Sequence, residues 1–232
     1  MHSCTGRGLR CCSQVSVGAP ATRSAVLDRG VRSAPRAAAA QTDAVPPRRH
    51  YASTSAAQVP RPKVLRRLWA PLAAMGVREV RLTAAARVER SYFSSRALDE
   101  DTRARELTRG LEQAGCDTRV PPVHVHRHLR TAARAAADEA GEGALLVLAH
   151  PACAAGLEDV APRLSELAAT ARPGANAVVA IGPEGGWQAH ELAMLRDEFG
   201  FRPAHIGART LTTEAAVVAL LAVLKEGLGD AP

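Results

Sequence analysis

Cysteine pairs, membrane-length apolar runs and, at one end, acidic residues are what this 232-residue chain lacks. None of its five cysteines stands in a C-x-x-C pair, and three of them (Cys4, Cys11 and Cys12) crowd the start while Cys116 and Cys153 stand apart. That usage indicates neither a disulfide scaffold nor a zinc site, and makes a reducing compartment the default. No apolar run reaches the roughly eighteen residues that a helical membrane span requires, so no membrane partner is expected. Residues 1–58 contain only two acids, Asp28 and Asp43, against eight arginines, a balance of +6. They show no sustained period of 2 or 3.6 and are rich in Arg, Ser, Ala, Thr and Pro. Such a composition fits an organellar transit peptide, and also a plain disordered terminus. The expected location is chloroplast or mitochondrion, or cytoplasm if the tail is not a targeting signal.

What is present begins after the tail. Residues 61–119 carry a balance of +5 and residues 120–232 of −4, so a nearly neutral body is polarised along the chain, and the whole sums to +7. This polarity suits a protein that meets RNA on one face; a general arginine bias is the other reading. The pattern then alternates helix with strand. A helix is expected from Pro62, through Val64, Leu65, Leu68, Leu72 and Met75, to Gly76, with Pro71 kinking or splitting it. Strands are expected over 77–83, around Val123 and Val125, over 144–149, 177–181 and 203–206. Helices fall over 99–114, up to Ala140, over 161–171, 188–199 and 215–225, the last capped by Thr212 or Thr213. The runs at 144–149 and 177–181 are continuously apolar, as in parallel strands covered on both faces. Alternation of this kind predicts an α/β layer architecture with a mostly parallel sheet.

Two loops carry the chemistry: I-G-P-E-G-G-W over 181–187, and G-A-R-T-L-T-T-E-A-A over 207–216. Each follows a short strand and opens a helix, so together they offer clustered backbone N–H groups and close approach to a small polar ligand. No phosphate-loop lysine follows the glycines, Pro183 removes one donor, and the spacing does not match G-x-G-x-x-G. A nucleoside triphosphate and a nicotinamide cofactor are both poor fits.

The loop pair resembles that of the RsmE-type 16S ribosomal RNA uridine N3-methyltransferases, of the SPOUT superfamily. Gly182 to Trp187, Glu191, Gly207, Arg209, Leu211 and Glu214 to Ala216 fall on that family's end signature, and stretches from Arg61 through Pro121 resemble its opening. The likeness covers residues 59–226. It implies a trefoil-knotted α/β domain over 59–228, S-adenosylmethionine (SAM) as cosubstrate, small-subunit ribosomal RNA as partner and a homodimer. It also implies three cofactor loops: Leu148, Ala149 and His150; Ile181, Gly182, Pro183, Gly185 and Gly186; and Ile206, Gly207, Leu211 and Thr213. Without the resemblance, the same pattern reads as an unknotted doubly wound sheet.

Glu184 orients the second loop by accepting backbone N–H bonds or takes part in proton removal, with the first reading preferred. Arg209 contacts RNA phosphate or the target base, or else pairs with Glu214 or Glu184. His150 is a packing residue or a base. Arg61, Lys63, Arg66 and Arg67 form a basic turn, read as a phosphate-binding patch or a solvated helix face. His124, His126 and His128 alternate as on a polar strand face, and no metal is expected. The chain departs from the family at Thr212, where Arg is usual, at Ala215, where Thr is usual, and at Ala74, usually acidic. No alternating strands for the family's small N-terminal barrel are found. These departures keep two alternatives: a SAM- or RNA-binding dimer without methyl transfer, and a SPOUT enzyme with another RNA acceptor.

Overall fold

The computed structural model describes residues 52–115, 117–152, 161–172 and 174–229. The bulk of the expected tail, and the cysteines at 4, 11, 12, 116 and 153, lie outside the described residues. Its last seven residues do not: Ala52–Gln58 is a strand, β1. The tail boundary at 58 is therefore corrected. The segment A-S-T-S-A-A-Q has no apolar alternation for a pattern reading to find. It becomes a strand through backbone pairing on both edges, context outweighing propensity.

Helix α1 (Pro62–Ala74) starts with proline at its first turn, where the missing N–H is not needed. Leu65, Leu68, Trp69 and Leu72 then recur at helical spacing and are buried. Pro71 does not split the helix. Downstream, Met75 N–H still bonds to the Pro71 carbonyl (2.9 Å) and Gly76 closes the turn with φ +68°. There follow β2 (Val77–Thr83), two short 3-10 turns, α2 (Glu100–Ala114), β3 (Val123–His126) and α3 (Leu129–Ala140). Then come β4 (Leu145–Ala149), α4 (Leu164–Ala169), β5 (Ala177–Ile181) and α5 (Ala189–Ala193), which runs on as a π-turn, Met194–Glu198. Strand β6 (Arg202–Ala204) and α6 (Thr213–Leu228) complete the chain. Helix α4 is shorter than the pattern implies, because residues 162–164 are bonded to the main chain of His205 instead.

All six strands are parallel, in the order β3-β2-β1-β5-β4-β6. Strand β5 is buried along its whole length, and its side chains alternate between two cores. Ala177, Val179 and Ile181 join the layer of α1, α2, α4 and α6, whereas Val178 and Ala180 join that of α3 and α5. Helices thus cover both faces, as the continuous apolar runs predict. Helix α6 packs on α4 and α1. Residues 153–160, between β4 and α4, lie outside the described residues.

Candidate active site

Strands β5, β4 and β6 are neighbours, so their C-terminal ends open side by side, the usual place for a ligand in an open parallel sheet. Each end turns into one of the three bends expected from the sequence. Between them lies a cavity of about 780 Å³, lined by Ala149 and His150, by Ile181 through Trp187, by Ile206, Gly207 and Arg209 through Glu214, and by part of α1. That volume suits a ligand of cofactor size.

Cross-links between the bends fix the cavity's shape. Trp187 Nε1–H donates to the Ala149 carbonyl (3.1 Å), tying the second bend to the first. His150 N–H donates to the Ala204 carbonyl (3.1 Å), tying the first to the root of the third. Within the second bend, Gly186 N–H closes a turn on the Pro183 carbonyl (2.9 Å), and Gly186 holds φ +73°, a conformation L side chains rarely adopt. Glu191 is buried at 3% exposure, yet both its oxygens are engaged. One accepts from Gln188 N–H (2.9 Å) and the other from Ala86 N–H (3.0 Å) in the loop after β2. From the same loop the Arg87 guanidinium donates to the Gly185 carbonyl. A Cβ on Gly185 would stand 3.0 Å from Arg87 Cδ, a tight contact that the arginine side chain would have to relieve by shifting.

The expected site residues separate by position. Ala149, His150, Ile181, Gly182, Pro183, Gly185, Gly186, Ile206, Gly207, Leu211 and Thr213 all line the cavity. Leu148 does not. It faces the α3–α5 core, fully buried, because one step along a strand reverses the face. Glu184 accepts from Arg61 N–H (3.2 Å), the orienting arrangement, across 123 residues of sequence. Arg209 is exposed on the cavity wall, and the pairings weighed for it are not made. Glu214 pairs with Arg67 instead (3.0 Å). The basic turn divides: Arg61 and Arg67 lie at the cavity, separated by helical steps through Val64, while Lys63 and Arg66 are exposed away from it.

Sequence reasoning missed Arg87, which sits far from either glycine loop in the chain, and His205, which lines the cavity at the root of the third bend. It also missed a second polar cluster at the other edge of the sheet. Arg81 on β2, 2% exposed, is bonded to Glu79 (3.0 Å) and to Glu139 on α3 (2.5 Å), with His124 Nε2 3.9 Å from Glu79. Among the described residues no group of histidine, cysteine and acidic side chains is placed to hold a metal.

Residues 48–225 match the RNA methyltransferase domain family. The chain is 33% identical over 165 residues to the ribosomal RNA small subunit methyltransferase E of Treponema pallidum (strain Nichols), covering 71% of this chain and 58% of that protein. It therefore spans well under two thirds of that relative's length. Among solved structures, a "probable rRNA-methyltransferase" from Porphyromonas gingivalis shares the fold at a TM-score of 0.58 and 20% identity, over 76% of this chain and 66% of that one. The ribosomal RNA small subunit methyltransferase E of Neisseria gonorrhoeae, a structure bound to S-adenosyl methionine, aligns at 0.53 and 21% identity, over 76% and 65%.

Proposed function

This chain belongs to the RNA methyltransferase domain family, and on that premise we propose that it methylates N3 of a uridine in small-subunit ribosomal RNA with SAM as donor. The observation that carries this reading is the cavity enclosed jointly by the bends after β4, β5 and β6. Its walls fit SAM: the lining is rich in glycine and backbone amides, the volume is right, and Ile181, Ile206 and Leu220 give an apolar side. When bound, SAM would supply an electrophilic methyl group, its S–C bond breaking as the N–C bond forms, with the N3 proton of the uridine given up to solvent. The residues of this chain hold donor and acceptor in line and exclude water. Glu184 keeps the second bend oriented through Arg61 N–H. Arg209, exposed beside Arg61 and Arg67 on the cavity wall, offers a rigid fork of donors to RNA phosphate or the target base.

A homodimer belongs to the same proposal. Helix α6 buries Val217, Leu220, Leu221, Leu224 and Leu228, while Val218 remains 36% exposed and Leu211, just before the helix, 42%. Import into chloroplast or mitochondrion is supported by the arginine-rich, acid-poor residues 1–58.

Calorimetric titration with SAM, followed by methylation of isolated small ribosomal subunits and nucleoside mass spectrometry, tests the reading. Binding with formation of 3-methyluridine is expected. Binding without turnover favours the inactive dimer suggested by Thr212 and Ala215, and a different methylated nucleoside favours another RNA acceptor.

A further inference from the structure

We propose that His205 is the positioning residue of the third bend, acting through its Nδ1 atom on the Gly207 N–H and therefore held in the Nε2–H tautomer. The inference deepens the functional reading above, since it concerns the same cavity.

The geometry is local and specific. The main chain of His205 is fixed on both sides, its N–H donating to the Pro162 carbonyl (3.1 Å) and its carbonyl accepting from Leu164 N–H (2.8 Å). With the backbone pinned, the imidazole turns along its own chain and accepts the Gly207 N–H on Nδ1 at 3.1 Å. A side-chain acceptor taking the N–H two residues on is the arrangement by which Asn and Asp stabilise turns. Here it holds the step into Gly207, whose φ of +150° only glycine adopts readily and around which a Cβ would meet nothing within 4 Å. The Nδ1 bond is a directional restraint on that step, one that packing against a side chain at residue 207 cannot supply.

Two consequences follow from donor and acceptor inventory. An Nδ1 that accepts carries no proton, so in the neutral ring the hydrogen resides on Nε2. The Gly207 amide is engaged within the chain and is not one of the donors the third bend presents to a ligand. His205 lines the cavity, and the polar atom it has left for a ligand is Nε2–H. Its chemistry suits an acceptor such as a carboxylate or carbonyl oxygen. The third bend is thus preformed by a side chain that the sequence signature does not include.

The test has two arms. In the first, 15N NMR of the imidazole in the wild-type protein reads the tautomer without any ligand; the Nε2–H form is expected, and an Nδ1–H form overturns the proposal. In the second, SAM affinity is measured by calorimetry for the wild type, His205→Leu and His205→Asn. Leucine removes the acceptor and is expected to weaken binding by about tenfold, the scale of one neutral hydrogen bond. Asparagine restores a side-chain acceptor to the same turn and is expected to stay within about threefold of the wild type. A leucine variant that binds like the wild type, or an asparagine variant as weak as leucine, overturns the proposal. A wild-type protein with the Nε2–H tautomer and no affinity for SAM sinks the functional reading while supporting the role of His205 in the bend.

Discussion

The two edges of one parallel sheet solve the problem of buried polarity in opposite ways. At the β5-β4-β6 side, the groups that shape the cavity are mostly main-chain amides and carbonyls, cross-linked by a few side chains such as Trp187 and Glu191. At the β1-β2-β3 side, a guanidinium and two carboxylates face one another, with Arg81 and Glu79 almost wholly enclosed. Backbone polarity cannot be titrated and presents several donors to a ligand. Charge pairing holds the structure together but leaves nothing to offer. The difference teaches that charge buried as ion pairs marks stability at one edge, while the candidate chemistry sits at the other, where glycine-rich main chain faces the cavity and the arginines stand exposed on its wall.

The largest effect should come from breaking the charged edge. Arg81→Met removes the partner of Glu79, which is 6% exposed, and leaves a buried carboxylate uncompensated. Loss of one member of such a pair costs about 3–5 kcal/mol. The half-exposed Glu139 adds little to that figure, because water screens it. Urea denaturation should show the drop, while SAM affinity of the folded fraction stays unchanged. A variant that keeps its stability and loses the ligand would reverse the assignment of the two edges.

Gly185→Val is the converse. The Cβ of any side chain at this position would stand 3.0 Å from Arg87 Cδ and 3.4 Å from Arg87 Cβ, so a branched one displaces the arginine from the Gly185 carbonyl. SAM affinity should fall at least about 100-fold, roughly 2.7 kcal/mol, with a urea midpoint close to that of the wild type. Equal affinities by calorimetry would remove the second bend from the cofactor site.

Acid should weaken the charged edge in two stages without mutation. Burial, then the charges of Arg81 and His124, hold His126 below its ordinary value of 6.5. Its Nε2 is buried without a hydrogen-bond partner among the described residues, so the neutral ring is favoured. Between the folded and unfolded values the unfolded chain binds more protons, and stability falls as pH drops through that window before levelling off. The hydrogen bond from Arg81 holds Glu139 below the usual carboxylate range, so its contribution persists lower and is lost as pH falls through the folded value. Unfolding free energy measured against pH should therefore decline in two stages, and His126→Asn should erase only the upper one.

The same contrast explains what could be read from the sequence. Glycine loops, alternation and caps are local, so the cavity's three bends, α1 to Gly76, β2 and a threonine cap on α6, for which the structure uses Thr212 rather than Thr213, were all legible. Strand β1 was not, because seven small and polar residues become a strand only through two partners distant in sequence. The Leu148 side chain falls away from the cavity for a related reason: motif likeness gives position along a strand, while the face depends on sheet register. The charged edge was invisible because Glu79, Arg81 and Glu139 meet across strand and helix, and each alone looks like a surface residue. Arg87 and His205 show the intermediate case, since each acts on a glycine the sequence does mark.

The smallest expected effect tests whether the cavity edge tolerates added charge. Thr212→Arg inserts the residue usual in the family at the N-cap of α6, where the threonine hydroxyl accepts Ala215 N–H at a long 3.4 Å. Losing that cap costs on the order of 0.5–1 kcal/mol, and a cation at a helix N-terminus is mildly unfavourable, so thermal stability should fall by a few degrees at most. Arg61, Arg67 and Arg209 already line the cavity, but Arg67 is neutralised by Glu214. A further guanidinium exposed at this rim should add about one phosphate contact, steepening the salt dependence of RNA binding by roughly 0.7 to 0.9 in log–log slope. SAM affinity should move little, although Thr212 lines the cavity, because the bonds from Trp187, His150, Glu184 and His205 that hold the bends do not involve it. A steeper salt slope with faster methylation would identify the rim charge as limiting for RNA; an unchanged slope would place the RNA on another face of the molecule.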